Sequence, residues 1–275
     1  MFKRDPFSET LGLIAGKGEF PIIFAEALFA LKQPLIVFGV KGQTDPRVEP
    51  FAKETHYMDL GALGHLVDLL KKTKVKKVVL AGGIPKFEIY NPSFQMDETA
   101  KGFIHQTRNK GDDHILKALQ FFLKVKCGVS IADARVFLKN LLAPKGVMTR
   151  RIPTPSERED LKFGWRIAKG IGKMDIGQTV VVKDGVVLAV EALEGTDAAI
   201  RRGGKLSRTG AVIVKVAKPN QDLRFDLPCV GHETLESMKA VGARVIGVET
   251  QKTVMLSKDR LIEEADQADM SILGI

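Results

Sequence analysis

Residues 11–18 read Leu-Gly-Leu-Ile-Ala-Gly-Lys-Gly, a short apolar run that ends in a glycine-bearing turn. An apolar run of this length predicts a strand that is covered on both faces. A mostly apolar, helix-length segment follows at 20–32, and a second apolar run begins at Leu35. Strand-like and helix-like segments continue to alternate up to Ala81. This alternation predicts an α/β fold built on a parallel sheet.

The second half of the chain has a different pattern of elements. Residues 112–125 predict one more helix, and the stretch 143–156 then brings three prolines, a glycine and three basic residues, as is typical of a linker. Ser156 with Glu159 predicts a capping box that opens the next helix, and Asp184-Gly185 predicts a hairpin turn. We therefore expect a parallel-sheet domain over residues 1–142, a linker over 143–156 and a mixed α/β domain over 157–275.

The chain has 275 residues and a formal net charge of +9, which leaves two interpretations open. One is a well-solvated surface, and the other is an acidic partner such as phosphate, nucleic acid or an anionic membrane. Five lysines between Lys71 and Lys77 sharpen that question. No apolar stretch approaches the ~20 residues of a membrane span, and two isolated cysteines exclude a disulfide framework. We therefore expect a cytoplasmic protein, free or attached to a membrane surface.

Two glycine-bearing turns follow predicted strands of the first domain. They are Gly16-Lys17-Gly18 and Gly82-Gly83, the second of which continues to Lys86. Ligands bind at the carboxyl ends of the strands in open α/β sheets, and glycine lets the backbone approach a phosphate or sugar. Pro21 replaces the third glycine of the dinucleotide fingerprint, and no P-loop is completed. A purely structural role in tight turns is the equal alternative.

A third candidate is the stretch 191–197, directly after the predicted hairpin. It combines the carboxylates of Glu191, Glu194 and Asp197 with the hydroxyl of Thr196 at a strand-to-helix junction. Such a group can orient a hydrated Mg2+ ion or a catalytic water, because Mg2+ commonly uses one or two carboxylates plus substrate phosphate and water. The alternative is that Thr196 or Asp197 caps the next helix.

A fourth candidate is a charged loop that follows a predicted strand. Lys215 and Lys218 lead into a turn that carries Asp222, Arg224 and Asp226 at alternate positions. Alternate residues of an extended chain share a face. Cations suited to a diphosphate would then lie beside carboxylates suited to a metal. The alternative is a surface loop of ion pairs.

Five groups of residues occur in a characteristic order: Leu-Gly-Leu-Ile-Ala-Gly at 11–16, Gly-Asp-Asp at 111–113, Asp-Ile-Gly-Gln at 175–178, Glu-Ala-Leu-Glu-Gly-Thr-Asp at 191–197, and Arg-Phe-Asp-Leu-Pro at 224–228 with Gly231. Together they resemble the LpxI-type UDP-2,3-diacylglucosamine pyrophosphatases of lipid A biosynthesis, over nearly the whole chain. Two positions depart from the family pattern, since Lys17 stands where glycine is common and Cys229-Val230 where Thr-Ile is common.

The resemblance implies a Rossmann-like N-terminal domain and a catalytic C-terminal α/β domain, active as a homodimer. It implies hydrolysis of UDP-2,3-diacylglucosamine to UMP and 2,3-diacylglucosamine 1-phosphate (lipid X) at the inner-membrane surface, with Mg2+, or Mn2+ in its place, as cofactor. The family's Arg-x-Asp-Leu-Pro motif places its key aspartate on Asp226. On this basis we assign catalysis to Asp226 and Asp222, metal binding to Asp226, Asp197 and Glu194, and substrate binding to Gly16, Lys17, Gly18, Gly82, Gly83, Lys86, Thr196, Lys215, Lys218 and Arg224.

Three alternative classes make different demands on the sequence. An NAD(P)-dependent oxidoreductase needs a full glycine fingerprint and an acidic residue after the second strand, where this chain has Gly39-Val40-Lys41. An RNA-binding module needs aromatic residues between basic ones, but the chain has 1 Trp and 2 Tyr, so no nucleic-acid partner is expected. A non-catalytic nucleotide-sugar or dinucleotide-binding protein stays open, because only an activity distinguishes it from an enzyme.

Overall fold

The computed structural model describes residues 9–83, 95–107, 112–224 and 227–275, which fall into two compact units. The first unit comprises the described residues up to Leu138 together with Arg224. The second comprises Lys139–Leu223 and Leu227–Ile275. Within these ranges no helix has both the length and the apolar character to cross a membrane.

The first unit is built on a five-stranded sheet with helices between its strands. Its elements are β1 (Leu11–Ala15), α1 (Phe20–Ala30), β2 (Leu35–Val40), β3 (Glu54–Met58), α2 (Leu63–Thr73), β4 (Lys77–Ala81), α3 (Glu98–Thr107), α4 (Asp112–Cys127) and β5 (Ser130–Ile131). The strand order is β3-β2-β1-β4-β5, and every pairing is parallel. The α/β class and parallel sheet expected from residues 11–18 onward are therefore confirmed.

The order of the strands reverses at β1, because β2 and β3 lie on one side of β1 and β4 and β5 on the other. From β1 it moves outward through β2 to β3, then crosses back so that β4 pairs with the other side of β1, with Leu11 opposite Lys77. A reversal of strand order opens a crevice at the carboxyl ends of the two strands concerned, where ligands of open α/β sheets bind. The loops after Ala15 and Ala81 therefore flank that position.

The second unit contains a six-stranded mixed sheet and a short two-stranded one. Its elements are β6 (Gly146–Val147), α5 (Pro155–Lys173), β7 (Thr179–Lys183), β8 (Val186–Val190), α6 (Thr196–Ser207), β9 (Val212–Lys215), β10 (Cys229–Val230), α7 (His232–Lys239), β11 (Val245–Val248), β12 (Val254–Met255), α8 (Lys258–Gln267) and β13 (Ser271–Gly274). The large sheet has the order β6-β13-β11-β9-β7-β8, and β10 pairs with β12. The mixed α/β architecture expected for the C-terminal half is confirmed.

Strand direction brings several strand ends to one edge of the larger sheet. Strands β9, β11 and β13 are parallel to one another, and β7 is antiparallel to β9. Because β8 is in turn antiparallel to β7, it runs in the same direction as β9. The carboxyl ends of β8, β9, β11 and β13 therefore share an edge, hereafter the carboxyl edge.

Alternating side chains divide the core of the second unit between the two faces of the sheet. Val180, Val212 and Val214 pack with residues of α5 on one face. Val181 and Ile213 pack on the other, with residues of α6, α7 and α8. Successive strand residues point to opposite faces, so helices on both sides require strands that are apolar throughout.

The hairpin between β7 and β8 forms where the Asp-Gly pair predicted it. Asp184 has a φ of 50° and Gly185 a φ of 74°, the conformation that a tight hairpin turn requires at both central positions. The buried carboxylate of Asp160 accepts hydrogen bonds from both turn amides, at 2.9 and 2.7 Å. One side chain of α5 thereby attaches the turn to the core.

The capping box of α5 lies two residues earlier than the sequence analysis placed it. Thr154 accepts from Glu157 N and the Glu157 side chain accepts from Thr154 N, so the prediction of Ser156 with Glu159 is wrong. Pro155 explains the shift, because its fixed φ suits the first helical position. The stretch 143–156 thus contains β6, which pairs with β13, and the start of α5.

Candidate active site

The two predicted glycine turns of the first unit lie against each other. Lys17 N donates to Gly83 O at 2.8 Å, and Gly83 N donates to Lys17 O at 3.0 Å. A Cβ on Gly16 would come 2.5 Å from Gly83 O, and one on Gly82 would come 2.7 Å from Lys17 O. This close backbone contact accounts for Gly16 and Gly82 structurally.

Lys17 and Gly18 remain exposed beside the first turn of α1, at the crevice of the sheet. Gly18 adopts a φ of 102°, which favours glycine. Pro21 has no N–H, and the amides of Ile22 and Ile23 both donate to Glu19 O at 3.1 Å, so the start of α1 offers few free donors. The exposed backbone at Gly18 is the part of this turn that a ligand can approach closely. Lys86, predicted to act with it, lies outside the described residues.

In the second unit, three side chains from different elements meet at the carboxyl edge. Thr196, the first residue of α6, donates its hydroxyl to Glu191 Oε1 at 3.0 Å and accepts from Lys215 Nζ at 3.0 Å. Lys215 ends β9 and Glu191 directly follows β8. Thr179, opposite Lys215 on β7, adds a hydroxyl 3.4 Å from that of Thr196. One hydroxyl thus connects a buried carboxylate with a buried ammonium group.

Lys215 is held tightly, with only 6% of its surface exposed. Its Nζ also donates to the carbonyl oxygen of Cys229 at 2.7 Å. An ammonium group has three N–H donors, and two of those of Lys215 have partners among the described residues. Burial of a charge strengthens its field on whatever approaches, so the remaining donor provides a fixed positive point for an anion.

The start of α6 adds to this positive potential. Gly195 is the N-cap with a φ of 84°, and no side chain caps the helix among the described residues. The first amide groups of a helix lack partners within the helix and carry its positive dipole end. The interpretation of Thr196 as a simple N-cap is therefore wrong, because Thr196 is the first helical residue and its hydroxyl contacts Glu191.

The predicted metal ligands are only partly suited to that role. Glu194 pairs with Arg202 at 2.6 Å, and this bond holds the pKa of Glu194 below its usual range. Asp197 has a buried Oδ1 without a hydrogen-bond partner among the described residues, a common sign of an ordered water or ion. The described residues contain no group of three or more metal-ligating side chains. A Mg2+ ion commonly uses only one or two carboxylates, with substrate phosphate and water as its other ligands, and the unpartnered oxygen of Asp197 is suited to be one of them.

The structure describes the charged loop after β9 only in part. Leu223 and Arg224 form a turn, and the shared face of Asp222, Arg224 and Asp226 stays a prediction. Lys218 pairs with Asp175 at 2.5 Å, and Asp222 is half-buried. Arg224 belongs to the first unit, where its Nη2 lies 3.5 Å from Gln120 Oε1. Asp226 lies outside the described residues.

A second buried charge cluster at the carboxyl edge was not predicted. Glu249, which follows β11, accepts from Lys169 Nζ at 2.5 Å, from Lys252 Nζ at 2.8 Å and from Ala217 N at 2.8 Å. Lys169 also lies over the ring of Trp165, 4.9 Å from its centroid. The missed signal was available: the first charged residues at the ends of β8, β9 and β11 are Glu191, Lys215 and Glu249.

Two family models match the chain. The model described as the LpxI N-terminal domain matches residues 10–141, and the model described as the LpxI C-terminal domain matches residues 144–273. The chain is also similar to a protein of Caulobacter vibrioides described as UDP-2,3-diacylglucosamine pyrophosphatase LpxI. The two are 30% identical over 276 residues, which covers 96% of this chain and 97% of the relative.

Solved structures show only distant likeness. A biotin carboxylase domain of a thermophilic 2-oxoglutarate carboxylase matches with a TM-score of 0.24 and 14% identity, over 62% of this chain and 34% of the other. N5-carboxyaminoimidazole synthetase of Staphylococcus aureus matches with a TM-score of 0.25 and 13% identity, over 66% and 40%. A structure described as gox2253 gives a TM-score of 0.30 at 11% identity, over 97% and 89%.

Proposed function

The chain belongs to the LpxI family, and on that premise we propose that it hydrolyses the diphosphate of UDP-2,3-diacylglucosamine to UMP and 2,3-diacylglucosamine 1-phosphate. The observation that supports this most is the convergence of Lys215, Thr196 and the uncapped start of α6 at the carboxyl edge of the second unit. A buried cation beside free helix amides is suited to a phosphate group. The activity by which the Caulobacter vibrioides relative is described supplies the identity of the substrate.

In this proposal the chain's own groups bind and orient the diphosphate. The third N–H donor of Lys215 and the first amides of α6 bind phosphate oxygens, and Glu191 fixes the Thr196 hydroxyl that positions Lys215. Pyrophosphate cleavage depends mainly on positioning and on charge stabilisation, so rigid donors suit it. The exposed backbone beside Lys17 and Gly18 is a second place for a phosphate or sugar, in the first unit.

Asp226 is proposed as the carboxylate that acts at the reacting centre, with Asp222 as its helper. Bound Mg2+, or Mn2+ in its place, supplies neutralisation of diphosphate charge. Asp197, with its unpartnered oxygen, is the described residue best suited to hold it. Glu194 is less suited, because Arg202 already occupies its carboxylate. The cytoplasmic face of the inner membrane is the proposed place of action, because the substrate is a lipid.

The decisive experiment incubates the purified full-length chain with UDP-2,3-diacylglucosamine and measures UMP release with Mg2+, with Mn2+ and with a chelator. We expect UMP with either metal and none with the chelator. Asp226→Ala should abolish turnover and leave substrate binding, while the control Asp68→Ala, on the exposed side of α2, should leave the rate unchanged. UMP release by Asp226→Ala in excess Mg2+ would contradict the role of that residue.

The same experiment separates the enzyme from a non-catalytic nucleotide-sugar binding protein. A binding protein would retain UDP-2,3-diacylglucosamine in equilibrium dialysis without releasing UMP under any metal condition. That outcome would overturn the proposed hydrolysis while leaving the anion-binding role of Lys215 and α6 in place.

A further inference from the structure

Seven exposed lysines gather at the amino edge of the parallel sheet of the first unit, opposite the glycine turns. We name them the basic face: Lys71, Lys72, Lys74, Lys76, Lys77, Lys124 and Lys126. They come from the ends of α2 and α4 and from the start of β4. The backbone brings these segments together, since Ser130 N, just after α4, donates to Lys76 O at 3.0 Å.

Lysines from two segments of the basic face lie near the same side chain. Burial raises the pKa of the Cys127 thiol at the end of α4. The nearby positive charges of Lys71 and Lys76 act to lower the same pKa. The acidic groups beside the basic face are Glu9, whose Oε2 lies 3.5 Å from Lys77 Nζ, and Asp68, one turn before Lys71 on α2. The face therefore carries a strong excess of positive charge.

Lysines at helix ends have an ordinary explanation, because cations complement the negative end of a helix dipole. That explanation covers Lys71, Lys72, Lys124 and Lys126, which lie in the last turns of α2 and α4. The same explanation extends to Lys74, the C-cap of α2. It does not cover Lys76 and Lys77, which lie beyond that cap and at the start of β4.

Two apolar side chains stand among these cations on the outer side of α4. Phe121 is 72% exposed and Val125 is 64% exposed. They are four residues apart, so they share one side of the helix with the exposed Lys117 and Lys124. Exposed aromatic and aliphatic groups flanked by lysines are typical of surfaces that enter the headgroup region of a bilayer.

We propose that the basic face, with Phe121 and Val125, docks on the surface of an anionic lipid bilayer. This inference rests on the proposed membrane location of the reaction and adds the surface that makes the contact. Charge complementarity supports a bilayer of negative surface potential. The apolar pair favours a bilayer over nucleic acid, because it can enter the headgroup layer. The glycine turns of the first unit lie at the carboxyl ends of β1 and β4, opposite the basic face. Docking by the basic face therefore leaves these turns unobstructed.

The test measures sedimentation of the full-length chain with vesicles of mixed phosphatidylcholine and phosphatidylglycerol, against pure phosphatidylcholine vesicles. We expect binding only to the anionic vesicles, and weaker binding as NaCl rises. Each lysine near an anionic surface contributes about a five-fold gain in affinity. The variant Lys71→Gln/Lys72→Gln/Lys74→Gln/Lys76→Gln should therefore bind at least about ten-fold more weakly.

A matched control replaces four exposed lysines of the second unit by Gln: Lys139, Lys145, Lys173 and Lys205. It makes the same change in net charge and should bind vesicles nearly as the wild type does. Equal loss in both variants would show a general charge effect and overturn the proposal, as would wild-type protein that ignores anionic vesicles. UMP release from detergent-dispersed substrate is measured in parallel, so a failed reaction and a failed docking surface give different results.

Two further measurements address the apolar pair and the nucleic-acid alternative. Phe121→Trp should show a blue-shifted emission on adding anionic vesicles, relative to the wild type with its single Trp165. Phe121→Gln should weaken vesicle binding severalfold. If a single-stranded RNA binds more tightly than the vesicles, and Phe121→Gln has no effect on vesicle binding, the basic face is a nucleic-acid surface and the bilayer proposal is wrong.

Discussion

Thr196 places a single hydroxyl between two buried charges of opposite sign. It donates to Glu191 and accepts from Lys215, so each charge has a fixed hydrogen-bond partner. Burying a charged group is costly unless its hydrogen-bonding capacity is met. The hydroxyl therefore stabilises the fold and, in the proposed reaction, orients the ammonium group that binds phosphate.

Thr196→Val keeps the shape of the side chain and removes that hydroxyl. We expect a loss of about 1–3 kcal/mol in the free energy of unfolding, because Glu191 and Lys215 each lose a partner. The rate of UMP release should also fall, because Lys215 loses the hydroxyl that orients it. Urea denaturation and the hydrolysis assay measure the two effects. Thr196→Ser restores a hydroxyl and should recover most of both; a Ser variant as impaired as Val would contradict the role of the hydroxyl.

Glu249 gives the stability of the second unit a dependence on pH. Burial alone would raise its pKa, but bonds from Lys169, Lys252 and Ala217 N outweigh burial and hold the pKa of Glu249 below its usual range. A carboxylate with a lowered folded-state pKa contributes stability above its unfolded-state pKa of about 4.3, and that stability is lost as pH falls through the folded-state pKa.

We expect the free energy of unfolding to fall as pH drops below about 4.3, in part through protonation of Glu249. Glu249→Gln should lower stability at neutral pH by about 3 kcal/mol, because it leaves Lys169 partly buried without its charge partner. The free energy of unfolding of the same variant should fall less steeply than that of the wild type as pH drops. Denaturation curves across pH measure both effects, and an acid dependence equal to that of the wild type would contradict the assignment.

At the scale of elements, the site of the second unit follows from strand direction. Lys215 is the last residue of β9, and Glu191 and Glu249 directly follow β8 and β11. These three strands run in the same direction, so their charged residues lie at one edge of the sheet. The three positions are far apart in sequence. Local patterns predict each strand, but pairing between distant segments decides which strand ends become neighbours.

Gly177 is a glycine on which the position of Glu191 at this edge depends directly. A Cβ there would collide with the backbone of Glu191, where little can move. Gly177→Ala should therefore displace Glu191, cost about 1–3 kcal/mol of stability and reduce UMP release. The matched control is Gly170→Ala on the exposed side of α5, where a Cβ meets open space. It should stabilise the protein by about 0.5–1 kcal/mol, and thermal denaturation compares the two.

At the scale of the whole molecule, each unit has a core of its own. Residues of α2 and β4 pack in the first, and residues on both faces of the six-stranded sheet pack in the second. The basic face of the first unit carries seven of the 42 basic residues of the chain. The proposed docking on a bilayer would give this part of the positive charge a function.

Homodimerisation is a prediction at this scale, implied by the resemblance to the family. Sedimentation equilibrium should give twice the mass of one chain at micromolar concentration. Dilution should shift the mass toward that of one chain if subunits exchange, because dimer formation depends on concentration. A mass of one chain at every concentration would contradict the prediction.

The sequence by itself determined the longer strands up to β11, most helices, the parallel sheet of the first half and the Asp184-Gly185 hairpin. These features depend on apolar periodicity and on turn conformation, which operate within windows of a few residues. It also indicated Thr196 and Lys215 as site residues. Only the tertiary structure decided that Lys215 joins Glu191 at the hydroxyl of Thr196 and that Glu194 pairs with Arg202. Partners of charged side chains are set by strand pairing and helix placement over long sequence distances, and local periodicity carries no information about these.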